Sequence, residues 1–401
     1  MNCRRVVRWI LVVSCLSGMD RSAVAQPSDD LFESGTLHDL RLFIHSNDLR
    51  QLRDRYLDNT YYPVDLHWRN LRVRNAGVRS RGLGSRSATK PGLRIDFDRY
   101  SAGQRFLGLG SLILDNLVQD PALVRERVAM AFFERMGQPA PRESFCRLFI
   151  NDVYQGLYAF VEPVDAGFLS RTLGETAGYL FERTFAFPFY GEDLGDDETA
   201  YGAVFEPRTR EREAAGVLYA PIRDLFHEVN QPVDAVWRQR VAEYLDLEQF
   251  VTHVAVETFL SESDGMLGFA GMANFYLYRS AGATRHRVIV WDKDRAFSEI
   301  DSPIMRRADE NILVRRALAF DDLRTLYWNV LEQCARASLE ENWLETEIIR
   351  ASTLIDAAAR EDPWKPVSNE VYTAAVAFLI DFARQRPEFV RQDVARERAI
   401  R

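Results

Sequence analysis

Strand-patterned segments fill the first half of this chain and helix-patterned segments its last third, an order that favours segregated α+β architecture over alternating α/β. Asp39-Leu-Arg-Leu-Phe-Ile-His45 alternates with the period of a strand. Further extended runs follow at 71–79, 92–98, 111–117, 145–151 and 154–162, with Gly, Pro, Asn and Asp marking the turns. Asp120-Pro121 reads as a helix start, an N-cap followed by proline at N1; Val124, Val128 and Phe132 share a face and Gly137 closes the helix. Asp246 with Gln249 makes a capping-box-like start, after which Leu247, Val251, Val254, Ala255 and Phe259 line one face. From about 310 to 395 the pattern is mostly helical, including 340–360 and 368–386. Residues 186–216, with the acidic run Glu192–Glu198, are expected to be a surface insertion, either a solvated loop or a gate.

The segment from Asp264 to Phe297 carries the chemistry. Asp264-Gly265 is followed by Asn274-Phe-Tyr-Leu-Tyr-Arg279 and Val288-Ile-Val-Trp-Asp-Lys-Asp-Arg-Ala-Phe297, two strand patterns about Ala281-Gly282 that predict a hairpin. Carboxylates at i and i+2 of an extended chain share a side, so Asp292 and Asp294 could hold one hard cation, with Asn274 adding an amide oxygen. Lys293 would then face the other way. The alternative is that these acids cap a turn.

Of the 401 residues, 47% are hydrophobic, enough to bury a large core in two lobes or one elaborated domain. Residues 1–25 have the zones of a secretory signal: Arg4, Arg5 and Arg8, then Trp9-Ile-Leu-Val-Val13, then Ala23-Val-Ala25. Val12-Val-Ser-Cys15 offers a lipoprotein box as the alternative, which would anchor the chain through Cys15. Residues 26–35 are expected to be a disordered lead-in. Loss of residues 1–25 removes four arginines and one aspartate, so the net charge falls from -8 by three units to about -11. That balance argues against nucleic-acid or anionic-membrane partners. No further apolar run reaches transmembrane length, and Cys146 and Cys334 allow at most one bridge. The six histidines are scattered without zinc-ligand spacing, and no Gly-x-Ser-x-Gly elbow occurs.

The residues of the Asp264–Phe297 segment resemble the CotH family of atypical secreted kinases. The resemblance extends through Arg79-Ser-Arg-Gly-Leu-Gly-Ser-Arg-Ser87, Lys90-Pro-Gly-Leu-Arg-Ile-Asp-Phe97, Leu114-Asp-Asn-Leu117, Met136-Gly-Gln-Pro-Ala-Pro-Arg142 and Asn151-Asp-Val-Tyr-Gln-Gly-Leu-Tyr158. It implies an atypical protein-kinase-like α+β fold over 36–395, with a β-rich lobe at about 36–185, the insertion, and a mainly helical lobe carrying the metal hairpin at about 217–395. It further implies ATP and Mg²⁺ or Mn²⁺ as cofactors, and serine or threonine hydroxyls of an extracytoplasmic protein as acceptors.

On the same resemblance, Arg81, Gly82, Gly84 and Ser85 form a phosphate-approaching turn, and Lys90 meets both phosphate and a carboxylate, for which Glu162 is the candidate. Asp264 takes the catalytic-loop position, and Asn274, Asp292 and Asp294 the metal. The chain has neither His-Arg-Asp nor Asp-Phe-Gly, and its Gly-Leu-Gly-Ser departs from the Gly-Asn-Ser common in the family. Two other readings stay open: a non-catalytic envelope or surface scaffold, and a metal-dependent phosphohydrolase.

Overall fold

In the computed structural model of the chain, which describes residues 28–400, seven strands close into a barrel. They are β1 (Leu37–Ile44), β2 (Tyr62–Trp68), β3 (Leu71–Arg81), β4 (Gly92–Asp96), β5 (Ser111–Asp115), β6 (Glu143–Ile150) and β7 (Val153–Val161), with α1 (Ser46–Asp54) after β1 and α2 (Arg125–Arg135) between β5 and β6. Around the barrel the order is β1-β2-β3-β4-β5-β7-β6, and the parallel β1–β6 pair closes the ring while the other neighbours are antiparallel.

The period-2 alternation of β7 explains how the barrel joins the rest of the molecule. Tyr158 and Phe160 belong to the barrel's core, whereas Leu157, Ala159 and Val161 belong to the larger core shared with the helices. A strand buried on both faces reads as a continuous apolar run, which Leu157–Val161 is.

After α3 (Ala166–Leu173) comes a second sheet with the strand order β11-β10-β8-β9, made of β8 (Tyr179–Arg183), β9 (Phe205–Pro207), β10 (Phe275–Arg279) and β11 (His286–Val290). The remaining helices are α4 (Ala215–Asn230), α5 (Trp237–Ala242), α6 (Leu247–Phe259), α7 (Ile312–Ala317), α8 (Asp321–Leu339), α9 (Trp343–Glu361) and α10 (Asn369–Ile400). The chain thus has the expected α+β division, β-rich first and mainly helical later. Among the described residues no helix is long and apolar enough to cross a membrane.

Several local expectations need correction. The signal segment 1–25 lies outside the described residues, but residues 28–35 are not disordered. Leu31 and Phe32 are buried in the barrel core, and Arg142 binds Asp29 and Ser28. Residues 186–216 are not a surface insertion: β9 is a sheet strand, Tyr201 and Phe205 stack against Phe226 of α4, and Phe189 meets the same ring edge-on. The acids of 192–198 are spent locally, with Asp193 on His227 and Tyr201, and Glu198 on Arg223.

The helix after Asp120-Pro121 starts only at Arg125. Asp120 nevertheless satisfies its first N–H, accepting from Arg125 N at 2.7 Å, and also holds the preceding turn by accepting from Ala122 N at 2.8 Å. Cys146 lies in the barrel core and Cys334 on α8 in the helical core, and both are free and buried.

Candidate active site

The β10–β11 hairpin forms as its apolar alternation requires, with Phe275 opposite Val290. Its open end places Asn274 just before β10 and Trp291-Asp292 just after β11. Both Asn274 (φ 57°) and Asp292 (φ 50°) are left-handed, a conformation that costs a non-glycine residue free energy and gathers at functional sites. Asp292 is therefore not in extended chain: a left-handed turn, rather than strand alternation, brings it beside Asp294.

Glu257, on the inner side of α6, organises the residues around this end. Its Oε1 receives Lys293 Nζ at 2.8 Å and His253 Nε2 lies 3.1 Å away; its Oε2 accepts from Met266 N at 2.6 Å. Gly265 admits this carboxylate, since a Cβ there would lie 2.5 Å from Glu257 Oε2. Lys293, fully buried, also donates to Asn274 O at 2.9 Å, tying the two hairpin flanks together. Asn274 Nδ2 donates to Asp264 O at 2.7 Å and Asp264 Oδ2 at 3.2 Å. Three of the expected site residues, Asp264, Asn274 and Asp292, thus converge through Lys293 and Glu257.

The barrel contributes the facing wall. Arg81, at the end of β3, donates to Asp115 Oδ2 at 3.1 Å at the end of β5, and its guanidinium lies 6.0 Å from the Trp291 ring centroid. Burial disfavours the Arg81 charge, but Asp115 and then Asp292 outweigh it and hold its pKa above the ordinary value. Asn116 Nδ2 donates to Ser85 O at 2.8 Å and Lys90 O at 2.7 Å, and Arg86 Nε donates to Gly82 O at 2.7 Å, so the glycine turn is pinned at both ends.

The acids feel one another across this space. Burial and then Asp115 raise Asp292 to about 6, with Arg81 and Lys293 opposing. Burial, then Asp292 and Glu262, raise Asp294 to about 9. On α2, Glu126 is pushed well above the carboxylate range by burial, then by Glu143, Asp292, Asp115 and Asp294. Asp264 is raised by burial while Lys293, Arg295 and its bond to Asn274 pull it back. Among the described residues no three His, Cys, Asp or Glu side chains are arranged to hold a metal ion.

Lys90 and Glu162 do not meet. Lys90 Nζ bonds Asp362 Oδ2 at 2.7 Å, just beyond α9, with both side chains essentially unexposed. Glu162 instead accepts from Arg142 NH2 at 2.7 Å, Arg142 N at 3.1 Å and Arg171 Nε at 3.1 Å. Lys90 has its carboxylate, but from the C-terminal helices, 272 residues downstream. Sequence reasoning assigned no role to Asp115, Glu126, Glu143, Glu257, Lys293 or Asp362. The Leu114-Asp-Asn-Leu117 block was the available signal for Asp115; single buried acids on α2, α6 and beyond α9 carried none.

Residues 78–390 match the family described as "CotH kinase protein". This chain belongs to the CotH kinase family. It is 23% identical over 363 residues, 88% of this chain and 97% of the relative, to "Inner spore coat protein H" of Bacillus subtilis (strain 168). A shorter stretch of 71 residues, 18% of this chain and 22% of the relative, is 35% identical to "Inner spore coat protein H-like protein" of the same organism. A solved structure, the Helicobacter pylori proinflammatory kinase CtkA, aligns over 77% of this chain and 95% of its own at 8% identity and a TM-score of 0.35. Membership of the CotH family makes this a kinase-like protein, and the match spans both the barrel strands that carry Arg81 and Asp115 and the hairpin that carries Asp292 and Asp294.

Proposed function

We propose that this CotH-family protein transfers the γ-phosphoryl group of ATP to serine or threonine hydroxyls of a protein outside the cytoplasm, with Mg²⁺ or Mn²⁺. The observation that carries the reading is the meeting of the barrel's Arg81–Asp115 pair with Asp292 and Asp294 beside the Asp264–Asn274 contact.

The donor set suits a hard cation. Burial and then mutual repulsion hold these carboxyls above their ordinary pKa, and Arg81 and Lys293 offset only part of this because Lys293 is paired with Glu257 and Arg81 with Asp115. Phosphate oxygens and water would fill the coordination positions that these residues leave open. Asp292, Asp294 and the amide oxygen of Asn274 would hold the cation, whose contribution is to neutralise charge on the phosphates. Arg81 and the pinned 82–85 turn would hold the phosphate chain. Asp264 would orient the acceptor hydroxyl and take its proton as that oxygen bonds to the γ-phosphorus and ADP departs with the bridging oxygen.

Lys90, closed off against Asp362, would act by fixing the strand that follows the glycine turn. Its seclusion is also what favours a second reading, a scaffold that retains the fold without catalysis. Secretion through the leader at 1–25 belongs to the same proposal.

The deciding experiment incubates the mature protein with γ-labelled ATP, a divalent cation and a cell-envelope fraction. A labelled protein band lost in Asp292→Ala/Asp294→Ala supports the kinase; no band, with no thermal stabilisation by ATP and Mn²⁺, supports the scaffold. Release of inorganic phosphate without protein labelling would point to a phosphohydrolase.

A further inference from the structure

A cleft of about 190 Å³ opens beside the proposed catalytic loop, between residues 258–269 and residues 298–307. Its wall includes Glu262 and Ser263, so it begins one residue, about 3.8 Å of chain, from Asp264. The volume is below the roughly 300–1,000 Å³ of sites that enclose drug-sized ligands, so the occupant is one side chain rather than a nucleotide.

Two polar atoms on residues lining it have no partner. Glu262 Oε2 and Arg307 Nε are both buried and unbonded, whereas buried polar atoms in folded proteins are nearly always satisfied. Arg307 is also left-handed, at φ 59°. The walls are fixed from behind: buried Arg386 donates to Phe259 O at 3.0 Å and Thr258 O at 2.8 Å on one side, and to Ile300 O at 3.0 Å and Ser302 O at 2.6 Å on the other. At the rim, Phe269 is 58% exposed and Arg306 pairs with Glu299, both about half exposed.

The lining is rich in donors. Burial raises the Glu262 carboxyl to about 8, so near neutrality Oε2 carries a proton to donate, while Oε1 accepts from Asp264 N at 2.7 Å. Arg306 and Arg307 add charged donors, although Arg307 NH2 already holds Glu310 Oε2 at 2.6 Å and Phe269 O at 3.1 Å; the Ser298 hydroxyl is spent on Ser261 O at 2.6 Å. We propose that this cleft is an acceptor-side subsite that seats an acidic side chain, carboxylate or phosphoester, flanking the hydroxyl presented to Asp264, an inference that rests on the kinase reading for its role but not for its binding chemistry.

Fluorescein-labelled serine peptides flanked by glutamate, by phosphoserine or by lysine test it by anisotropy against the full mature chain without nucleotide. The acidic peptides are expected to bind about tenfold tighter than the lysine peptide, and the two acidic arms tell carboxylate from phosphate. Arg306→Glu, a surface exchange that leaves the fold alone, is expected to erase most of that preference, and Glu262→Gln, an uncharged donor of the same shape, to keep it. Equal binding of acidic and basic peptides, or acid preference undiminished in Arg306→Glu, overturns the proposal. Acid-selective binding in a protein that labels no peptide would sink the kinase reading and leave the subsite standing.

Discussion

Lys90 Nζ lies 2.7 Å from Asp362 Oδ2, an ion pair with 1% and 0% side-chain exposure that joins the β-barrel to the turn between α9 and α10. Asp362 Oδ2 also accepts from Leu157 N at 3.0 Å and its Oδ1 from Trp364 N at 2.9 Å, so one carboxylate organises strand, turn and lysine together. Desolvation lowers the Lys90 pKa, and the Asp362 charge offsets part of that effect.

Removing one partner should therefore be costly. Lys90→Met or Asp362→Leu alone is expected to lower stability by about 3–5 kcal/mol, because either change strands a buried charge, while the double variant recovers much of the loss. Urea denaturation of the four proteins in a double-mutant cycle measures this. A double variant as damaged as the sum of the singles would show that the pair is not the coupling element.

Asp292→Ala/Asp294→Ala should abolish phosphoryl transfer and also the stabilisation by ATP with Mn²⁺, without lowering the melting temperature of the free protein. The free protein gains by losing two buried carboxyls that repel Asp115 and Glu262. Thermal shift with and without ligand checks both arms, and a strongly destabilised free variant would contradict the repulsion argument.

His286 predicts an acid limb. Burial lowers its pKa from 6.5 to about 4, and its ring Nδ1 sits 2.9 Å from Tyr244 O while Nε2 is buried without a partner. Between those pH values the unfolded chain binds a proton that the folded one refuses, so stability rises with pH across the window and is lost as pH falls from about 6.5 to about 4. The contribution is on the order of 3 kcal/mol. Equilibrium unfolding at a series of pH values should show a shallower decline for His286→Gln than for the wild type.

Gly156→Ala should be severely destabilising. At φ 104° it opposes the register shift between Leu148 and Phe149, and a Cβ would lie 2.2 Å from Asp362 Oδ1. The control is Gly174→Ala, at the left-handed cap of α3 with nothing within 4 Å, where about 1 kcal/mol is expected from the backbone alone. Similar losses at the two positions, read by thermal melts, would refute the steric account.

The strands of the barrel were legible where alternation or apolar continuity is strong, as at 39–45 and 154–162. By contrast β2 passed unread although Tyr62, Val64, Leu66 and Trp68 alternate without a break; Pro63 is the residue within it that speaks against a strand. Residues 186–216 misled because Gly, Pro and acids signal solvent, while the burial of Phe189, Tyr201 and Phe205 against α4 depends on partners no local window contains. Glu162 is the sequence's candidate for Lys90 as a carboxylate that follows a strand; Arg142 and Arg171 reach it first.

By itself the sequence determined the hairpin with its acids, the helical cap at Asp246, the strand-then-helix order and the blocks that resemble the CotH family, because each is written in residues within a few positions of one another. Only the tertiary structure decided that Asp362 takes Lys90, that Arg81 and Asp115 face Asp292, and that Lys293 and Glu257 lie beneath Asn274. Those outcomes follow from barrel closure and from burial of charges, which act between segments up to 272 residues apart and leave no periodic trace along the chain.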